Sequence, residues 1–213
     1  MNKPKQLTFP WIKKNIASFD DFYFDPKNFG LKKNLLEEDD DLFLYGIKKS
    51  GKSFLLQSVC NFYASKNKSS LYIPIAEVMK YGISFMDSLD NLDVICIDDI
   101  DLINSDKEWE IAIFNLINDC LISKCRLIFS SAFNPSSIKF DLKDLISRIK
   151  KMNHIELFPV SEDNLNDALN FICNLRSINL GEKEINYLVT YSKRNISDLV
   201  NIINKLDKTS MQL

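Results

Sequence analysis

The sequence predicts an α/β fold with a parallel five-stranded sheet, followed by a small domain of three helices. Strand-like and helix-like segments alternate from residue 31 to residue 157, which is typical of parallel α/β proteins. A glycine-rich loop connects the first predicted strand to a helix. From residue 161 onward only helical periodicity remains, so we place a domain boundary near residue 159.

The glycine-rich loop at residues 46–53 matches the phosphate-binding pattern G-x-x-x-x-G-K-[ST] at every fixed position. An apolar, strand-like segment precedes it at 41–45, and apolar residues at helical spacing follow at 54–64. Gly46 and Gly51 allow the backbone to fold around an anion, and the N–H groups that start the helix then face it. A chance Gly-Lys turn is the alternative, but both flanks favour nucleotide binding.

The side chains of this loop predict a site for ATP or ADP with Mg²⁺. Lys52 is long enough to reach the β- and γ-phosphates, and the Ser53 hydroxyl can hold the metal. Binding of a nucleotide is a weaker claim than its hydrolysis, which needs separate support. The nucleotide-binding residues predicted in this loop are Gly46, Ser50, Gly51, Lys52, Ser53 and Phe54.

A second informative segment, residues 92–99, is an apolar run that ends in Asp98 and Asp99. Such a run predicts a buried parallel strand, and its carboxyl end lies where open α/β sheets bind ligands. Asp98 is suited to hold Mg²⁺ directly or through water, and Asp99 to orient or deprotonate an attacking water. The alternative is that both acids cap the next helix, but the phosphate loop favours the metal site.

Further positions leave two interpretations open. Ser130 and Ser131, at the end of the predicted strand 126–131, either reach the γ-phosphate or simply begin a loop. Arg148, near the end of the predicted helix 141–148, either favours the helix C-terminus or acts as an arginine finger on a neighbouring nucleotide.

Helix-start signals are present at two serines. Ser105 and Glu108 predict a capping box at the start of a helix. Three amphipathic helices are predicted at residues 161–177, 182–192 and 196–208, and they form a small bundle that can pack over the nucleotide as a lid. Ser161 is the predicted N-cap of the first lid helix, and Gly181 is a predicted break between helices.

Composition excludes several classes of protein. The 213 residues carry a formal net charge of −2, so no overall basic field favours nucleic acid. Five cysteines without a C-x-x-C pair argue against a disulfide framework or a zinc site. No apolar run approaches the length of a transmembrane helix, and the start lacks a signal peptide. We expect a reduced, cytoplasmic protein without membrane contact.

The amino-terminal residues 1–15 differ in character from the rest of the chain. Gln6 is followed by the apolar residues Leu7 and Phe9, and Pro10 favours an extended backbone there. Either this tail packs on its own domain or it inserts those side chains into a pocket of another protein. The residues alone slightly favour the first interpretation.

The order of these features resembles that of the AAA+ ATPases. Residues 94–100 and 109–116 are similar to the DnaA branch, and within it the chain resembles the Hda group, which are regulatory inactivators of DnaA. The resemblance implies a clamp-binding tail at 1–15, a P-loop AAA+ domain at 16–159 and a helical lid domain at 160–213.

The same resemblance implies partners and roles. Arg148 matches the arginine finger of that group, which acts in trans on the ATP of DnaA, and Asp99 is the other implied catalytic residue. The tail resembles the motif that binds the DNA polymerase sliding clamp, which makes the linear-motif interpretation the leading one. Implied partners are DnaA, the clamp, DNA indirectly through the clamp, and a second copy of the chain. The implied clamp-binding residues are Gln6, Leu7, Phe9 and Pro10.

The chain departs from the family pattern at both sensor positions. Ala132 replaces the sensor aspartate and Ser197 the sensor arginine of the last lid helix, with Arg194 as the nearest substitute nucleotide ligand. We therefore expect weak ATP turnover by the chain itself. DnaA proteins continue into a DNA-binding domain after the lid, and because this sequence ends at Leu213 we expect no such domain.

The resulting hypothesis is an Hda-like regulator of replication initiation. It binds adenine nucleotide and the sliding clamp, and it stimulates ATP hydrolysis by DnaA. The alternatives are an autonomous AAA+ ATPase that acts as a helicase loader, or a DnaA-type initiation adaptor. The sequence leaves the resting nucleotide, the oligomeric state and direct DNA contact open.

Overall fold

A parallel sheet of five strands forms the centre of the α/β part, in the order β2-β3-β4-β1-β5. The computed structural model describes residues 17–37, 40–86, 89–192 and 195–210, with side chains up to residue 205. Each neighbouring pair of strands is parallel, which confirms the predicted sheet. The strands are β1 (Leu42–Tyr45), β2 (Ser70–Pro74), β3 (Val94–Asp98), β4 (Arg126–Ser131) and β5 (Asn153–Glu156).

Helices connect these strands, as the alternating pattern predicts. The α-helices that the structure describes in this part are α1 (Leu31–Glu37), α2 (Lys52–Ser65), α3 (Ile75–Val78), α4 (Lys107–Ser123) and α5 (Lys143–Ile149). The region between β2 and β3 contains α3 and two 3₁₀ segments, Met79–Tyr81 and Ile83–Met86. Further 3₁₀ segments are Phe19–Asp21, Pro26–Asn28, Ile100–Ile103 and Glu162–Asn164.

Both faces of the sheet are covered by apolar side chains. Phe43 and Ile95 pack with α3, α4 and α5 on one face, whereas Leu44 and Cys96 pack with α1 and α2 on the other. Because side chains alternate across a strand, burial of both faces requires uninterrupted apolar runs. The structure therefore explains why β1, β3 and β4 lack polar alternation.

The start of α4 differs from the predicted capping box. Asp106 is the N-cap, and its carboxylate accepts the Trp109 N–H at 3.3 Å. Ser105 adopts a left-handed backbone with φ of 63°, and its N–H donates to the fully buried Glu110 at 3.1 Å. The prediction for Ser105 and Glu108 is wrong because the left-handed residue shifts the helix start.

Arg126, one of four arginines in the chain, has a structural role. Its guanidinium is buried and donates to the carbonyls of Leu35 at 2.7 Å and Asn34 at 2.9 Å. It also donates to Asp40 O at 3.0 Å. Carbonyls at a helix C-terminus lack intrahelical partners, so Arg126 satisfies the end of α1 and anchors it beside β4.

Three further helices form the lid, with an apolar core of their own. They are α6 (Leu165–Leu175), α7 (Glu182–Tyr191) and α8 (Ile196–Ser210). Their buried side chains are Leu165, Leu169, Cys173, Ile185, Leu199 and Ile203. Leu157 packs with the sheet and Val160 with the lid, whereas the domain limits at residues 15 and 159 stay predictions.

Asp25 connects the amino-terminal segment to the start of the lid. Its carboxylate is 1% exposed and accepts the Ser161 N–H at 2.8 Å, the Ser161 hydroxyl at 2.9 Å and the Asn164 amide at 3.1 Å. Ser161 is the N-cap residue of the 3₁₀ segment Glu162–Asn164, but its side chain bonds Asp25 and makes no cap bond. The helix α6 begins four residues later than predicted. Burial opposes the charged form of Asp25, but the hydrogen bonds, including one from the Lys27 N–H, hold its pKa at about 2.

Asp25→Asn is expected to destabilise the protein by about 2 kcal/mol at neutral pH. The pKa of Asp25 is lower in the folded chain than in the unfolded one. The stabilisation is therefore complete above about pH 4 and is lost as the pH falls through about 2. Urea unfolding at neutral and acidic pH measures this. Asp21→Asn, at an exposed residue, is the control. If the free energy of unfolding differed equally between wild type and Asp25→Asn at both pH values, the stabilising role of the Asp25 carboxylate would be contradicted.

Candidate nucleotide-binding site

The phosphate loop leaves the end of β1 at Gly46, which the neighbouring backbone surrounds closely. Its N–H donates to Ser131 O at 3.2 Å, and the Leu157 N–H donates to Tyr45 O at 2.7 Å. A Cβ atom on Gly46 would lie 2.4 Å from the carbonyl oxygen of Leu157. Glycine is required at position 46 because the backbone of Leu157 leaves no room for a Cβ atom. The sequence motif alone does not reveal this reason.

Gly51 faces a different neighbour, the aromatic ring of Phe22. Gly51 has φ of 105°, and a Cβ atom there would lie 2.6 Å from Phe22 Cε2. The Phe22 ring stacks on Phe54 at a centroid distance of 5.9 Å and meets Phe24 edge-on at 4.8 Å. The aromatic segment before α1 therefore docks on the core and covers the start of α2, where Phe22 shapes the phosphate loop.

Lys52 is buried within the loop that it belongs to. Its Nζ donates to Gly46 O at 2.8 Å and to Ile47 O at 3.0 Å. Burial lowers the pKa of Lys52, and the carboxylates of Asp99 and Asp98 oppose that shift. Since an ammonium group has three donors, one N–H remains for an anion.

Ser50 provides a second donor without a partner. Its side chain is 8% exposed, and its hydroxyl has no hydrogen bond among the residues that the structure describes. A buried polar atom without a partner is uncommon in a folded protein. The free donors of Ser50 and Lys52, together with the N–H groups at the start of α2, fit a phosphate group.

Asp98 ends β3 with both carboxylate oxygens engaged. The Tyr72 hydroxyl donates to Oδ2 at 2.6 Å, and the Ser130 hydroxyl donates to Oδ1. Burial and the charge of Asp98 raise the pKa of Tyr72, whereas the nearby side chains of Gln57 and Ser53 lower it. Sequence reasoning did not identify Tyr72 as a residue of this site. The register of the sheet could have indicated it, because β2 ends beside β3 with Pro74 paired to Asp98.

Asp99 follows in a left-handed conformation with φ of 55°. Its N–H donates to the Ser130 hydroxyl at 2.9 Å. Burial and the neighbouring Asp98 and Asp101 raise the pKa of Asp99, which favours a carboxylate that can accept a proton. Ser130 and Ser131 are fully buried, and Ser130 supports the two acids.

The described residues offer few protein ligands for Mg²⁺ at this site. Ser53 and Asp98, the predicted Mg²⁺ ligands, both lie beside the Tyr72 hydroxyl. Within the described ranges, no three His, Cys, Asp or Glu side chains come together as a metal site. Because Mg²⁺ is usually bound by one or two protein oxygens plus phosphates and water, this donor set fits a nucleotide-bound metal.

The lid contacts the phosphate loop directly. Lys49 Nζ lies 3.4 Å from Asp198 Oδ1 at the start of α8, and Tyr23 meets Phe171 of α6 edge-on at 5.8 Å. At the two predicted sensor positions, Ser197 is half-buried in α8, and the Ala132 N–H donates to Asp101 Oδ1 at 2.9 Å. Arg194, Gln6, Leu7, Phe9 and Pro10 lie outside the described residues.

Arg148 lies half-buried in the last turn of α5. The segment before α5 is held by Glu110, whose carboxylate accepts the Leu142 N–H at 2.7 Å and the Asp141 N–H at 3.1 Å. Arg126 and Arg176 both donate hydrogen bonds. In contrast, no bond joins the Arg148 guanidinium to another described residue. Among the described residues, Arg148 therefore makes no hydrogen bond or ion pair with the chain's own phosphate loop.

The helices give no sign of a membrane segment. In ranges 17–37, 40–86, 89–192 and 195–210, no helix is both long and apolar enough to cross a bilayer.

Comparisons with known proteins identify relatives of the sequence. Residues 31–155, more than half of the chain, match the family model described as "Bacterial DnaA ATPase domain". A Haemophilus influenzae protein, described only as "Uncharacterized protein", is 28% identical over 214 residues, which cover 98% of this chain and 92% of that protein.

Solved structures share the fold. Domain III of the Thermotoga maritima replication initiation protein DnaA superposes with a TM-score of 0.79 and 21% identity, covering 92% of this chain and 89% of that one. A replication initiator DnaA bound to AMPPCP and single-stranded DNA gives a TM-score of 0.75 and 18% identity, covering 90% of this chain. The chain spans only 64% of that initiator. At these identities the likeness shows a common α/β architecture with a helical lid.

Proposed function

Since the chain belongs to the family of bacterial DnaA ATPase domains, we propose that it is an Hda-like regulator of replication initiation. It holds an adenine nucleotide in its own loop and stimulates ATP hydrolysis by DnaA in trans. The observation that carries the proposal is Arg148, a half-buried residue whose guanidinium meets no anion among the described residues. Since a guanidinium pairs well with phosphate oxygens, a phosphate from another molecule is a suitable partner.

Nucleotide binding rests on the geometry of the loop. Ser50 and Lys52 retain donors for phosphate, and a DnaA initiator of the same fold binds AMPPCP. Ser53 and Asp98 would hold Mg²⁺, which neutralises phosphate charge when it is bound. The Lys49–Asp198 ion pair connects this loop to α8, so a bound nucleotide would influence the angle of the lid.

Arg148 would act at a site that another protein completes. The guanidinium pairs with phosphate oxygens through two parallel N–H groups, and its role is to stabilise charge that develops on the γ-phosphate of DnaA-bound ATP. Glu110 anchors the start of α5, the helix that carries Arg148. The product is DnaA in its ADP form, which would prevent renewed initiation.

The clamp-binding tail brings this activity to replicated DNA. Wild-type protein is expected to bind a DNA-loaded sliding clamp in surface plasmon resonance. Gln6→Ala should weaken that binding about tenfold or more, because a hydrogen bond in a peptide pocket is lost. Asn2→Ala, in the same tail, is the control. Equal binding by wild type and Gln6→Ala would remove the tail from the proposal.

An autonomous ATPase, such as a helicase loader or an initiation adaptor, is the second candidate. Asp99 favours it, because its half-buried carboxylate has a raised pKa suited to proton transfer. Steady-state turnover by the purified chain separates the two functions. Robust hydrolysis without DnaA that is lost in Asp99→Asn would replace the proposed regulator by this enzyme.

A further inference from the structure

The Tyr72 hydroxyl lies where the predicted metal ligands meet. It donates to Asp98 Oδ2 at 2.6 Å, and Ser53 lies beside the same hydroxyl. The other Asp98 oxygen accepts the Ser130 hydroxyl. Asp98 is 4% exposed, so its charge is satisfied by two neutral donors rather than by solvent.

A divalent cation bound to Ser53 and Asp98 would compete with this arrangement. Mg²⁺ requires a near-octahedral shell at short distances, and the Tyr72 hydroxyl already occupies Oδ2 of Asp98, an oxygen that such a shell would use. Tyr72 extends from β2, whose backbone pairs with β3 next to Asp98. The aromatic ring packs against the buried cluster that includes Leu56 and Cys96, and cation entry at Oδ2 requires the hydroxyl to release the carboxylate.

We propose that Tyr72 is a specificity-determining residue, which competes with Mg²⁺ for Asp98 and so allows the site to hold a nucleoside diphosphate without metal. This rests on the nucleotide binding of the proposed function. A diphosphate uses the donors of Ser50, Lys52 and the start of α2. A triphosphate supplies further metal ligands from its γ-phosphate, so Mg²⁺ enters with the triphosphate and displaces the hydroxyl.

The test compares ADP affinity in excess Mg²⁺ with ADP affinity in EDTA, by isothermal titration calorimetry on the full chain. In wild type the two dissociation constants should agree within about threefold. In Tyr72→Phe, Asp98 loses a charge-assisted hydrogen bond, so removing Mg²⁺ should weaken ADP binding about tenfold or more. Tyr63→Phe is the matched control, because Tyr63 is a buried tyrosine whose hydroxyl accepts a hydrogen bond from Arg126 and not from a loop residue.

The outcomes separate this inference from the function that it rests on. Tight ADP binding with the same Mg²⁺ dependence in wild type and Tyr72→Phe overturns the role of Tyr72 alone. Absence of ADP binding by wild type overturns nucleotide binding as well. Electron paramagnetic resonance of Mn²⁺ with the wild-type ADP complex needs no variant. Free Mn²⁺ supports the proposal, and Mn²⁺ bound at the ADP site contradicts it.

Discussion

Arg148→Ala is expected to reduce the stimulation of ATP hydrolysis by DnaA about 10³-fold or more, which is the range that an arginine finger contributes in related phosphoryl-transfer enzymes. The reason is that alanine leaves the developing negative charge on the γ-phosphate without a guanidinium. The measurement is single-turnover hydrolysis of ATP bound to DnaA, in the presence of DNA-loaded clamp. Binding to the clamp should be unchanged, because the predicted clamp motif lies at residues 6–10.

Two controls make this result specific. Arg176→Ala removes a lid arginine that bonds Asn204, and it should retain stimulation. Arg148→Lys keeps the charge but loses the bidentate geometry, so it should restore only part of the rate. Full stimulation by Arg148→Ala would show that the finger lies elsewhere.

Lys52→Ala is expected to weaken ADP binding by about 10²–10⁴-fold, because charge-assisted hydrogen bonds to phosphate are lost. The buried ammonium lies 2.8 Å from Gly46 O, so it is already oriented in the loop before a nucleotide binds. Calorimetric titration of ADP measures the change. Lys48→Ala removes an exposed lysine from the same loop and should alter affinity by less than about threefold. An equal loss in both variants would indicate a general effect of charge.

The regular elements could be predicted because their signals are local. The apolar run before Asp98, the loop at residues 46–53 and the helical spacing after Gly181 each depend on neighbours within a few residues. The start of α4 and the start of α6 could not be placed correctly. At the start of α4, the left-handed backbone of Ser105 moves the N-cap to Asp106. At the start of α6, Ser161 bonds Asp25, which is distant in sequence.

The amino-acid sequence alone established the parallel α/β sheet, its phosphate loop, the acid-ended strand and the three lid helices. Tertiary structure alone revealed that Tyr72 bonds Asp98, that Arg126 satisfies the end of α1, and that Phe22 and Leu157 lie against the two loop glycines. These contacts join residues from separate strands and helices. A periodic pattern reports which face of an element is apolar, but it carries no information on which distant side chain completes a buried hydrogen bond.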